Sequence, residues 1–85
     1  MPQVSQFSGI SVRINYADHP PPHLHAYYGG RHVMVDISAG TILRGSFPPA
    51  QEKRLLPWVT RHRTELDHAW ALASQQQQPP WIPSP

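Results

Sequence analysis

His23-Leu24-His25-Ala26-Tyr27-Tyr28-Gly29-Gly30-Arg31-His32-Val33-Met34-Val35-Asp36 reads as two β-type runs joined by a glycine pair. Two glycines between such runs signal a primed hairpin turn. If Gly29-Gly30 is the whole loop, Leu24 faces Val35 and Ala26 faces Val33, so apolar meets apolar. The same register sets His23 opposite Asp36, His25 opposite Met34 and Tyr27 opposite His32. One sheet face then carries the histidines and the other the core.

Working outward, Ile10, Val12, Ile14 and Tyr16 alternate with Ser11, Arg13 and Asn15, the period of a strand with one buried and one wet face. Val4 and Phe7, set off by Ser8-Gly9, predict a short strand before it. Asp18-His19-Pro20-Pro21-Pro22 cannot join a ladder, because proline lacks the donor and has a fixed φ. It is read as a rigid extended loop. On the other side of the hairpin, Ser38-Ala39-Gly40 turns the chain into a run from Thr41 to Gly45.

After Phe47-Pro48-Pro49 the period changes, with Leu55, Trp58 or Val59, His62, Leu66, Ala69 or Trp70 and Ala73 recurring every three to four residues. This predicts one amphipathic helix from about Pro49 to Ala73, kinked at Pro57 or beginning near it, since an internal proline costs about 3 kcal/mol. The expected fold is α+β: a small antiparallel sheet of about four to five strands with one long C-terminal helix packed on its apolar face. Residues 1–74 form a single domain, and residues 75–85 a Gln/Pro-rich tail in which Trp81-Ile82 is able to dock on the core.

Composition bounds what such a domain does. Eighty-five residues leave no room for a separate cofactor domain, and zero cysteines exclude disulfides and thiolate zinc sites. A net charge of +2 is too mild to diagnose a nucleic-acid partner. The first residues lack the pattern of a signal peptide, and no apolar run approaches a membrane span, so a soluble cytoplasmic protein is expected.

Six histidines are the chemical feature, and three of them cluster. The period of a strand puts His23 and His25 on one side, about 7 Å apart, where both imidazoles can converge on one ion or phosphate. Asp36, across the hairpin, is placed to orient His23, and Asp18-His19 can add ligands from the loop. On this reading His23, His25 and Asp36 are candidate catalytic residues, with a histidine as general acid or base. His19, His23 and His25 are candidate ligands for a divalent zinc, nickel or copper ion. Asp18, His19, Tyr27, Arg13 and Arg31 are candidate binding residues, with Arg44 a further phosphate contact. Because the helix covers only the core face, this histidine face is expected to stand open. Taken alone, Asp18 and His19 are better explained by a loop-capping role, the aspartate bonding nearby backbone N–H groups. His62 is read as a core-edge residue, His32 and His68 as surface residues, and Trp58 and Trp70 as core.

The run Asp18-His19-Pro20-Pro21-Pro22-His23-Leu24-His25-Ala26-Tyr27-Tyr28-Gly29 resembles the D-H-x-P-P-H-x-H-A-x-Y-G signature of the small bacterial proteins grouped as domain-of-unknown-function family 4160. The likeness extends to Phe7 and Gly9-Ile10, and to Leu55-Leu56, Trp58, His62-Arg63, Glu65-Leu66, Trp70 and Ala73. Pro57, Tyr27 and the tail depart from the pattern. The resemblance implies genomic pairing with a second small family, number 2442, in toxin–antitoxin-like modules. The histidine face would then be a functional site and the cognate small protein a partner, with RNA as a candidate substrate. The alternatives are a non-enzymatic protein-binding module and a divalent-metal-binding protein. Lys53, Arg54, Arg61 and Arg63 cluster on the helix, either as a nucleic-acid contact or as its solvated face. An uncapped sheet edge offers a place for a second copy.

Overall fold

The computed structural model describes residues 2–85, in which five strands form one antiparallel meander: β1 (Gln3–Phe7), β2 (Ile10–Arg13), β3 (His23–Tyr28), β4 (Arg31–Asp36) and β5 (Thr41–Arg44), in that spatial order. Tight turns set the register wherever they occur. Ser8 and Gly9, both at positive φ, close the β1–β2 hairpin, and Gly29 at φ 57° closes β3–β4. The six pairs from His23↔Asp36 to Tyr28↔Arg31 are those the two-glycine loop requires.

The apolar face of this sheet carries Ile10, Val12, Leu24, Ala26, Val33 and Val35, all fully buried. Above them lie α1 (Pro49–Arg61), contributing Leu55, Trp58 and Val59, and α2 (Arg63–Ser74), contributing Leu66, Ala69 and Ala73. Each large aliphatic side chain removed from water in this way contributes about 1.5–3 kcal/mol before conformational entropy is charged against it.

Two short helices therefore replace the single long one that the periodicity predicts, and the chain does not break at Pro57. That residue is exposed on the outer side of α1, where water can bond the Lys53 carbonyl that a proline leaves unpaired. The break is at His62 (φ −103°, ψ 24°). The His62 N–H donates to the Trp58 carbonyl and the Leu66 N–H to the His62 carbonyl, while the His62 imidazole and the Glu65 carboxylate pair at 2.6 Å. A one-residue interruption keeps the apolar stripe in phase, so periodicity is blind to it.

The tail is docked. The Ile82 N–H donates to the Val4 carbonyl (2.7 Å), the buried Ser5 hydroxyl to the Ile82 carbonyl (2.9 Å), and the Trp58 indole N–H to the Pro83 carbonyl (2.9 Å). Ile82 is buried with the core while Trp81 remains exposed. The tail thus lies against β1, leaving β5 as the uncovered edge. No helix among the described residues is long and apolar enough to cross a membrane.

Gly45, just beyond β5, has φ 84°, and a Cβ there would run into the carbonyl of His32 on β4. The β4–β5 register shifts between Met34 and Val35, so the end of β5 crosses its neighbour closely. Gly45→Ala should therefore cost about 1–3 kcal/mol from the backbone conformation alone, with the clash adding to it. A urea midpoint equal to that of the unsubstituted protein would contradict this geometry.

Candidate metal centre

Strand β3 alternates strictly, so His23 and His25 lie on the face opposite Leu24 and Ala26. That face is not open at the histidines: they are only 6% and 9% exposed. Strand alternation assigns a side chain to a face but not the cover over it. Here the cover is the loop after β2 together with Trp70 of α2, whose ring centroid lies 5.2 Å from that of His23. The Ala17 N–H donates to the Ala73 carbonyl (3.0 Å), tying this loop to the end of α2. Elsewhere the face is more accessible, with Tyr27, Met34 and Asp36 half-buried and His32 exposed.

Inside the cover, Asp18, His23 and His25 each place a potential ligand atom within 4.8 Å of the others. Asp18 Oδ2 is 3.1 Å from His23 Nε2 and 3.6 Å from His25 Nε2. The partner expected for His23 was Asp36, and it is not the one used. Asp36 does sit opposite His23 in the ladder, but its carboxylate accepts the Ala39 N–H (3.0 Å) and closes the turn into β5. A residue at a turn is claimed by the nearest unpaired backbone donor. Asp18 takes over the contact with His23 while its other oxygen caps the His19 N–H at 2.8 Å, so the loop-capping and site roles coexist in one carboxylate. The His19 imidazole is exposed and outside this cluster.

The hydrogen-bond arithmetic of the cluster is unusual. The Pro21 carbonyl, 2.8 Å from His23 Nδ1, can only accept, so Nδ1 carries a proton. Nε2 then either donates to Asp18 Oδ2, when the ring carries both protons, or, in the neutral ring, turns its lone pair to that oxygen. Asn15 Nδ2 lies 3.3 Å from Asp18 Oδ2 and 3.3 Å from His25 Nε2, donating to both. In the tautomer that accepts from Asn15, the His25 proton is on Nδ1 and donates to His32 Nε2 at 2.9 Å; in the other, Nε2 faces Asp18 as a donor. With both imidazoles in these neutral forms three acceptor atoms converge, and the Asn15 amide donates to two of them, Asp18 Oδ2 and His25 Nε2. The Asn15 Oδ1 atom, meanwhile, is buried with no partner.

Burial holds the His25 imidazole below its ordinary pKa, with the charges of His23 and His32 adding to the effect and Asp18 opposing it. Burial works to raise the Asp18 carboxyl, but the His19 N–H, the charge of His23 and the bonds from Asn15 and His25 together bring it below its usual value. A neutral imidazole and an ionised carboxylate are the forms that bind metals.

Around the site runs a stacked series. The Arg13 guanidinium lies 5.0 Å from the Tyr27 ring centroid, Tyr27 stacks on His32 at 4.5 Å, and His32 stacks on His25 at 5.1 Å. Arg13 and Tyr27 are therefore brought towards the site, whereas Arg31 and Arg44 are exposed and outside the Asp18–His23–His25 cluster. His68 is exposed, as expected, and Trp70 is half-buried against His23 rather than fully in the core. Asn15 and the His32 contact were missed from the sequence. The signal for Asn15 was its place on the wet side of β2, continuing from Arg13, which pairs with His25. The long loop between β2 and β3 conceals that register.

The chain is a small α+β domain that gathers the half-buried Asp18 and the buried His23 and His25 into one cluster. The family described as Domain of unknown function (DUF4160) matches residues 9–71, which include the entire Asp18–Gly29 run, and the chain belongs to that family. No curated protein and no solved structure matches it.

Because the folded-state pKa of His25 lies below its ordinary value of 6.5, the unfolded chain takes up this proton first. Stability from this group is complete above that value and is lost as pH falls towards the folded-state pKa. Metal-free protein should accordingly lose stability on acidification through the range just below pH 6.5, and His25→Gln should flatten that slope. Denaturant midpoints across the range measure it, and parallel slopes would refute the assignment.

Proposed function

We propose that this protein binds a divalent transition metal through Asp18 Oδ2, His23 Nε2 and His25 Nε2. The observation that carries the reading is the convergence of these three acceptor atoms at 3.1 and 3.6 Å from the shared carboxylate oxygen. Bonds of about 2.0–2.1 Å to a tetrahedral ion give ligand–ligand edges of about 3.4 Å. The Pro21 carbonyl fixes the proton of His23 on Nδ1 and turns Nε2 inward, the outer contact by which metal-binding histidines are normally oriented. Imidazole and carboxylate donors without thiolate suit zinc, nickel or copper(II), and the divalent ions should rank in the usual order, with copper ahead of nickel and zinc.

A second reading has its own observation. Ser8, Lys53, Arg54 and Arg61 surround a cavity of about 240 Å³ at Trp58 on the outer side of α1. The ion pairs among the described residues all involve histidines, so none joins a carboxylate to these cations. Such a face suits a phosphate-bearing partner, and RNA is the candidate.

Calorimetric titration of protein free of any histidine tag should show one zinc site, weakened at least tenfold in His23→Ala and in Asp18→Asn and strengthened as pH rises through the histidine range. Absence of heat at micromolar zinc, nickel and copper would end the metal reading. For the second, Arg54→Gln with Arg61→Gln should weaken binding of a short single-stranded RNA. The doubly substituted protein should also show a salt dependence shallower by about 0.7 per cation removed. An equal loss in Arg44→Gln would reduce that binding to nonspecific charge.

A further inference from the structure

We infer that Asn15 is the fourth ligand of this centre, and that its side-chain amide turns over when the metal enters. The inference rests on the metal reading and deepens it. Asn15 Nδ2 is 3.3 Å from both Asp18 Oδ2 and His25 Nε2. With the carboxylate–imidazole separations of 3.1 and 3.6 Å, those distances match the edges, about 3.4 Å, of a tetrahedron around an ion with bonds near 2.1 Å. The amide therefore stands beside two of the three ligands at the spacing of a further vertex.

The second observation is the orphaned oxygen. Asn15 Oδ1 is buried without a hydrogen-bond partner, a state that costs about 1–3 kcal/mol for an amide that has another choice. With His25 Nε2 unprotonated and no cation there is none: turning the oxygen inward would set it against a carboxylate oxygen and an imidazole lone pair. The NH₂ group consequently points into the cluster and takes the place of positive charge, donating one hydrogen to each acceptor. A metal ion reverses the preference, because Nδ2 carries hydrogens and no available lone pair, while Oδ1 is a competent ligand. A half-turn about the terminal torsion exchanges the two atoms with almost no change in shape. It leaves the NH₂ group facing the position where Oδ1 had no donor.

The resulting set of two imidazole nitrogens, one carboxylate oxygen and one amide oxygen is complete for tetrahedral zinc. Four protein ligands leave no position for a reacting water, which characterises centres that hold a metal rather than use it for hydrolysis. The class of ligand is thus a borderline divalent ion bound for retention, sensing or structural support.

Zinc calorimetry on the unsubstituted protein, Asn15→Ala and Asn15→Asp tests this, together with cobalt(II) absorption and side-chain amide resonances of ¹⁵N-labelled protein. The expected results are a tenfold or greater loss of zinc affinity in Asn15→Ala and retained or tighter binding in Asn15→Asp. Cobalt absorption in the unsubstituted protein should have tetrahedral intensity, and one asparagine NH₂ pair should shift on titration with zinc. Unchanged affinity in Asn15→Ala with normal binding by the unsubstituted protein would overturn the role of Asn15 and leave the three-ligand site standing. Failure of the unsubstituted protein to bind would overturn both. If Asn15→Ala does not fold, the cobalt spectrum and the NH₂ resonances decide, and a weak six-coordinate spectrum or a static amide overturns the inference.

Discussion

The two-residue turn at Gly29-Gly30 is the constraint on which both halves of the molecule depend. Because side chains alternate with a period of two, a slip of one residue in β3 would carry Leu24 and Ala26 to the wet face and His23 and His25 into the hydrophobic core. The glycine pair prevents it by making the loop as short as a hairpin permits. Core formation and site formation are therefore one event: pairing Leu24 with Val35 under the helices simultaneously turns His23 and His25 towards the loop that carries Asp18.

That loop completes the site by a different kind of force. Nothing in it is sheet, and its proline run donates no hydrogen bond, although the Pro21 and Pro22 carbonyls accept from the His23 imidazole and the Ile37 N–H. It is held by the Asp18 cap on His19, by the Ala17 bond to the end of α2, and by the histidines themselves. The carboxylate is consequently poised between two jobs, shaping the loop and facing two imidazoles. Trp70 joins the packing to the chemistry, since it belongs to α2 and lies against His23.

Both helices and the tail show how a small domain recruits whatever apolar surface is near. Across the break at His62, Leu66, Ala69 and Ala73 stay in the same core as Leu55 and Val59. Ile82 closes the far side against β1, so a segment of glutamines and prolines ends in a buried anchor. An edge strand that is paired by its own chain is an edge withdrawn from association, which leaves β5 as the sheet's free margin.

The sequence by itself determined the strands, the β3–β4 register, the apolar face and the grouping of His23 with His25, because each follows from short-range rules: turn length, alternation and residue type. It also contained Asp18 as a neighbour of the histidines, although the ladder pointed to Asp36. Only the tertiary structure decided which carboxylate reaches the imidazoles, since a nearer claim by the Ala39 N–H removes Asp36 and a nine-residue excursion between β2 and β3 returns Asp18. The same holds for the burial of the histidine face, the amide of Asn15 and the docking of Ile82. Each joins segments whose relative placement no local periodicity encodes, and each is settled by unsatisfied donors, acceptors and apolar surface finding partners across the fold.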